Sequence, residues 1–234
     1  MASNTSIGAA RKGSKFQMQR LTLPENKGKF DLFIGEELDW FSPVLEEKFI
    51  EYRMNNADLL KRLGIRKGSF KEFWPNPQPQ WDGIAFGRDN ALYLFEAKSH
   101  FSEISPGKEG NPLNDTWKFA SIMEMAKHWG IREYKSSVWC HDYYQISNRI
   151  AFAQKLKEIG EQQKVNFTKV KMVFLNFVND RTWSKDKKMV PSCEDWDRHY
   201  DDILSKMGIS RELLEGDDIY IKNFDLNILD GAHS

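Results

Sequence analysis

Residues 80–98 read QWDGIAFGRDNALYLFEAK, and this stretch decides the fold. Two strand-like runs, Gln80 to Phe86 and Ala91 to Lys98, flank Gly87-Arg88-Asp89-Asn90, a composition suited to a hairpin turn. Side chains alternate across a strand, so Glu96 and Lys98 share a face with Leu92 and Leu94. Two opposite charges therefore continue a buried face, where charge is costly unless paired or metal-bound. With Arg88-Asp89-Asn90 as a three-residue loop, Gly87 faces Ala91 and Asp82 faces Glu96. Directly opposed like charges destabilise a hairpin, which predicts a cation between them. Two carboxylates at a strand end suit Mg²⁺, with Mn²⁺ as a substitute, because such hard ions prefer oxygen and keep waters for substrate. Lys98 is then placed to orient or deprotonate an attacking water, the more readily if burial lowers its pKa. The same three residues would otherwise form an Asp–Lys–Glu ion pair at the end of a surface hairpin.

The rest of the chain predicts an α/β protein: a mixed central β-sheet flanked by helices. Residues 1–29 are polar and aperiodic and read as a flexible tail, leaving 30–234 as one domain. Ser42-Pro43 offers a cap and a first-turn proline for a helix running to about Leu63, stopped by Gly64. Residues 74–79, Trp-Pro-Asn-Pro-Gln-Pro, form a rigid connector. A long loop spans 102–113. Helices follow over Asp115–Trp129 and over Tyr143–Ile159, the second ended by Gly160. Lys169–Val178 is apolar on both faces, the mark of a central strand covered on each side. Cys193–Met207 is helical with Trp196, Tyr200, Ile203 and Leu204 inward, and Ile219–Phe224 is a last short strand.

Composition narrows the function classes. Formal net charge is zero, so no global basic field points to nucleic acid, although a local basic groove fits within a neutral total. Arg181, Lys185, Lys187 and Lys188 form one basic cluster, and Lys61, Arg62, Arg66 and Lys67 another; either suits phosphate contacts or a solvated face. Cys140 and Cys193 have no zinc spacing and fit reduced thiols in a cytoplasmic protein. No apolar run approaches a membrane span and no signal peptide is evident. Eight Trp and sixteen Phe predict an aromatic-rich core, part of which is available as a stacking platform.

Of five (D/E)xK tripeptides, only Glu96-Ala97-Lys98 ends an apolar strand. Asp82, thirteen intervening residues, then Glu96-Ala97-Lys98 resembles the bipartite motif of the PD-(D/E)xK nuclease superfamily, with its restriction-endonuclease-like core. The motif's proline is absent; Pro79 stands three positions before Asp82. Tyr144-Gln145-Ile146-Ser147-Asn148-Arg149 looks like a string found in a group of small uncharacterised bacterial members with a Glu-Ala-Lys motif. The resemblance implies that Asp82, Glu96 and the Ala97 carbonyl hold a divalent metal and that Lys98 is catalytic. It implies an acidic residue before the hairpin, from among Glu46, Glu47 and Glu51, with Glu46 preferred because it shares a helical face with Phe49. It also implies a polar helix flanking the site, where Gln145 and Arg149 lie one turn apart. His100 is a further candidate for a phosphate or water contact. The expected activity is metal-dependent phosphodiester hydrolysis, by an endonuclease acting on DNA ahead of RNA. The alternative is a catalytically silent nuclease-like fold that binds nucleic acid or protein.

Overall fold

The computed structural model describes residues 8–75, 77–104, 106, 115–131, 135–182 and 190–231. The elements, in chain order, are α1 (Gly13–Leu21), α2 (Pro24–Ile34), β1 (Asp39–Ser42), α3 (Ala57–Leu63), β2 (Gly83–Phe86) and β3 (Leu92–Lys98). They continue with α4 (Thr116–His128), α5 (Tyr144–Gln162), β4 (Val170–Val178), α6 (Cys193–Met207), α7 (Arg211–Gly216), β5 (Ile219–Asp225) and α8 (Asn227–Asp230). The strands form one mixed sheet in the order β1-β2-β3-β4-β5, antiparallel from β1 to β3 and parallel from β3 to β5. This is the expected α/β architecture, with helices on both faces.

Alternation along the strands sorts the core into two layers. Leu92, Leu94, Met172 and Phe174 face one layer, together with Trp74, Phe152 and Trp196 from the connector, α5 and α6. Tyr93, Phe95, Val173 and Leu175 face the other, together with Met18, Phe30 and Leu229 from α1, α2 and α8. Glu96 and Lys98 lie on the first side, as their spacing from Leu92 and Leu94 requires. The hairpin register pairs Gly83 with Phe95 and Phe86 with Leu92, and Gly87 N–H donates to the Ala91 carbonyl. Arg88–Asn90 is thus the three-residue turn that sets Asp82 opposite Glu96. β2 itself is shorter than the run Gln80–Phe86, because Gln80 pairs with Arg53 and Trp81 N–H goes to the Tyr52 carbonyl.

Three expectations are corrected. Residues 13–29 are not a tail: Met18, Leu21 and Phe30 are fully buried and anchor α1 and α2 to the sheet. Gly83 records that packing, since a Cβ there would stand 2.6 Å from Met18 Cε and 3.0 Å from the Trp40 ring. Residues 1–7 of the expected tail lie outside the described residues. No helix runs from Ser42 to Leu63. Ser42-Pro43 is a cis bond closing β1, Lys48 and Phe49 have positive φ, and Asn56 caps a separate α3 by accepting from Asp58 N and Leu59 N. Gly160 does not end α5, which runs on to Gln162; a Cβ at Gly160 would stand 3.3 Å from the Phe167 ring. Of the expected loop over 102–113, residues 105 and 107–113 lie outside the described residues, while Phe101–Ile104 form a 3-10 turn. Lys185, Lys187 and Lys188 also lie outside them.

Candidate active site

The C-terminal end of β3 opens into a cleft of about 560 Å³, and Asp82, Glu96 and Lys98 all line it. Glu96 is buried, with one carboxylate oxygen on each of two cations: Oε1 accepts from Lys98 Nζ at 2.5 Å and Oε2 from Arg149 Nε at 2.5 Å. Arg149 is fixed from every side. Its other nitrogens donate to the Gln80 carbonyl at 2.9 Å and to Asn148 Oδ1 at 2.6 Å, and its guanidinium lies 4.9 Å from the Trp81 ring centroid. Asp82 stands one residue before β2, half-buried, and Oδ2 accepts the Ala97 N–H at 2.8 Å. That N–H points to the β2 side of β3, and in a strand the carbonyl of the same residue lies on the same edge.

Charge at the site is interlocked. Burial, reinforced by the Glu96 carboxylate, pushes Asp82 well above the usual carboxylate range. Burial acts the same way on Glu96, but Arg149 and Lys98 outweigh it and hold Glu96 below the normal value. For Lys98, burial favours the neutral amine, yet Glu96 and Asp82 prevail and raise its pKa. Lys98 is therefore held as a cation, and the expectation that burial prepares it as a base is corrected: two nearby carboxylates outweigh desolvation.

The acidic residue that precedes the hairpin in this cleft is Glu51, not Glu46. Glu46 sits exposed in a 3-10 turn, because the helix expected to carry it does not form. Glu51 is buried, and Oε2 accepts from Gln80 Nε2 at 2.6 Å and pairs with Lys15 Nζ at 3.2 Å. Burial raises its pKa against those two partners, and Oε1 is buried without a partner among the described residues. Gln145 and Arg149 both line the cleft, as their one-turn spacing on α5 suggests. His100 does not line it: Nδ1 is 2.6 Å from Ser102 Oγ, and the ring is buried. Among the described residues of the second basic cluster, Arg62 is committed to Asp39 at 2.9 Å and stacks near Phe41 and Phe86.

Sequence reasoning missed the contribution of α1. Ser14 Oγ donates to Glu103 Oε2 at 2.8 Å, while Glu103 Oε1 accepts the N–H groups of Ser99 and His100 at 2.7 and 3.1 Å. α1 thus fastens the segment that leaves β3, and Lys15 reaches Glu51. The signal was the Met18–Leu21 spacing, hidden in a polar, Lys-rich stretch.

The donor set suits a hard divalent ion in kind: Asp82, Glu96, the Ala97 carbonyl edge and the unpartnered Glu51 Oε1 supply only oxygen. Glu96 is paired with Lys98 and Arg149, and Glu51 with Lys15, so two of the three carboxylates already meet cations. An ion entering here shares Glu96 or Glu51 with one of those cations. Among the described residues, no group of three or more His, Cys, Asp or Glu side chains is gathered as a metal cage. Also among them, no helix is long and apolar enough to cross a membrane. Comparison of the chain with protein-family models, with curated proteins and with solved structures finds no match.

Proposed function

We propose that the chain is a Mg²⁺-dependent nuclease of the PD-(D/E)xK type, hydrolysing phosphodiester bonds in DNA ahead of RNA. The observation that carries this reading is the convergence, from one hairpin, of Asp82, Glu96 and Lys98 in a single cleft, with Glu51 and the α5 residues Gln145 and Arg149 around them. Asp82, Glu96 and the Ala97 carbonyl would hold the metal, with Glu51 at its edge. When bound, such an ion polarises a phosphoryl oxygen and lowers the pKa of a bound water.

The chain's own side chains do the rest. Lys98, kept cationic by Glu96 and Asp82, offers Nζ–H donors to a non-bridging phosphoryl oxygen as charge builds there. Arg149, itself anchored on Asn148 Oδ1 and the Gln80 carbonyl, holds Glu96 Oε2 through one hydrogen bond, so that the ligand carboxylate is positioned before substrate arrives. Water attacks phosphorus and gives its proton to solvent, one P–O bond forms, the bond to the leaving ester oxygen breaks, and that oxygen takes a proton from solvent.

A second reading has an observation of its own. Both Glu96 oxygens are already satisfied at 2.5 Å, the arrangement expected of a nuclease-like fold that binds without cleaving. Incubation with single- and double-stranded DNA and RNA, in Mg²⁺, Mn²⁺ or EDTA, separates the two. Cleavage that needs the divalent ion and stops in EDTA supports the enzyme. Salt-dependent binding with no cleavage in either metal gives the site to the binding module.

A further inference from the structure

One wall of the cleft is not explained by metal or phosphate chemistry. The rings of Trp74 and Tyr144 are stacked with centroids 6.2 Å apart and planes 15° apart. Trp74 is the buried member; Tyr144, at the start of α5, is half-buried and lines the cleft. Burial pushes the Tyr144 hydroxyl up to about 12, so the ring is neutral across the physiological range. Lys118 Nζ lies 6.0 Å from the Trp74 centroid on the same wall.

Beside the rings stands a set of amides with unequal commitments. Gln80 donates from Nε2 to Glu51, and Asn148 accepts at Oδ1 from Arg149. Gln78 and Gln145 also line the cleft, and the Oε1 of each is buried without a partner among the described residues. Gln78 is only 5% exposed. A buried amide oxygen left unpaired costs free energy comparable to a lost hydrogen bond, so two in one cleft mark places for a ligand's N–H groups.

We propose that the cleft receives a single unstacked nucleotide of single-stranded DNA, its base stacked on Tyr144 and its donor edge read by Gln78 and Gln145. In a duplex the base faces are covered by neighbouring bases and the pairing edges by the opposite strand. A stacking ring and unpaired amide acceptors therefore meet matching chemistry only on a base that has left the stack. The volume of about 560 Å³ suits one nucleotide, within the range of small-ligand sites of roughly 300–1,000 Å³. The base would lie on the Tyr144 wall and its phosphate toward Lys98 and Asp82. That last placement rests on the nuclease reading; the stacking and the edge contacts do not.

The test uses the 234-residue chain and single-stranded DNA carrying one 2-aminopurine, whose emission is quenched by stacking. In EDTA, binding should quench the single strand and leave the emission of the same base in a duplex, already low from stacking, unchanged. Tyr144→Leu should remove the quench and weaken binding roughly 5- to 150-fold, the range for losing one stacked base. Tyr144→Phe should restore both. Gln78→Leu and Gln145→Leu should keep the quench but narrow the preference for bases with an exocyclic amine over thymine. An unchanged quench in Tyr144→Leu, with an unchanged melting temperature, overturns the proposal, as does equal affinity for duplex. With Mg²⁺, cleavage of single and double strands at equal rates that Tyr144→Leu leaves intact overturns it while the nuclease reading stands. A Tyr144-dependent quench without cleavage in any metal does the reverse.

Discussion

Arg149→Ala tests the centre of the site. The side chain is buried, holds Glu96 Oε2 at 2.5 Å, bonds the Gln80 carbonyl at 2.9 Å and lies 4.9 Å from the Trp81 ring. Removing one partner of a buried ion pair costs about 3–5 kcal/mol, because the remaining charge is left uncompensated. Lys98 still holds Oε1, which places the expected loss near the lower end, about 3 kcal/mol. For a chain of this size that is a fall in Tm of roughly 6–12 °C. Thermal unfolding followed by circular dichroism in EDTA reads it directly. Adding Glu96→Gln to Arg149→Ala should recover part of the loss, since the stranded carboxylate becomes neutral. Mg²⁺ should then raise the Tm of Arg149→Ala by more than that of the wild type, because Glu96 Oε2 is released to it. A loss under about 0.5 kcal/mol, the size of an ordinary surface substitution, would refute the buried ion pair. A Mg²⁺ shift identical in both proteins would refute competition between Arg149 and the metal for Glu96.

Asp82→Asn should raise the Tm of the metal-free protein at pH 7. The folded pKa of Asp82 lies above the unfolded 3.8, so its contribution to stability is lost as pH rises from there toward the folded value; a scan from pH 4 to 7 should show less decline in the variant. Glu96 has the opposite sense, favouring the folded state above 4.5 and losing that contribution as pH falls through its depressed value. The same Asp82→Asn protein should lose any Mg²⁺-induced Tm shift, and a full shift would place the ion elsewhere. Lys98→Ala should abolish nucleic-acid cleavage while calorimetry still detects Mg²⁺ binding, since an ammonium is no ligand. Lys15→Ala should tighten Mg²⁺ binding severalfold by freeing Glu51 Oε2, and unchanged affinity would remove Glu51 from the site.

The hairpin was legible because its signals are local. Alternation assigns Glu96 and Lys98 to one face, and the Arg88–Asn90 turn fixes the register that sets Asp82 opposite. β4 was legible from its two apolar faces, and α6 from its stripe of Trp196, Tyr200, Ile203 and Leu204. What escaped depends on contacts distant in sequence. A helix would set Glu46 on the face of Phe49 and turn Glu51 about 140° away from Glu46; only the pairing of Tyr52 with Trp81 decides that the segment is not helical and that Glu51 turns inward. The state of Lys98 follows from two carboxylates outweighing burial, a balance that spacing does not reveal. Lys171, Glu36 and Tyr93 form a network on the opposite face with no local signature, joining α2's exit to β3 and β4.

The parallel pairing of β3 with β4 also bears on how the chain avoids aggregation as it is made. The register joins Leu92 to Val170, and Arg149 precedes β4, so a growing chain displays the hairpin before either partner exists. During that interval Leu92-Tyr93-Leu94-Phe95 is an apolar strand with an open edge, the type of segment that pairs with its copies. Glu96 and Lys98 close that segment with two charges, and Asp82 stands across from them at the hairpin's mouth. Another molecule's strand docking there would have to desolvate all three, without the Arg149 that later shares the burden. The residues proposed for catalysis therefore act first as gatekeepers. Replacing Glu96 and Lys98 together with Leu should lower soluble yield during synthesis even where the finished fold could accommodate the change.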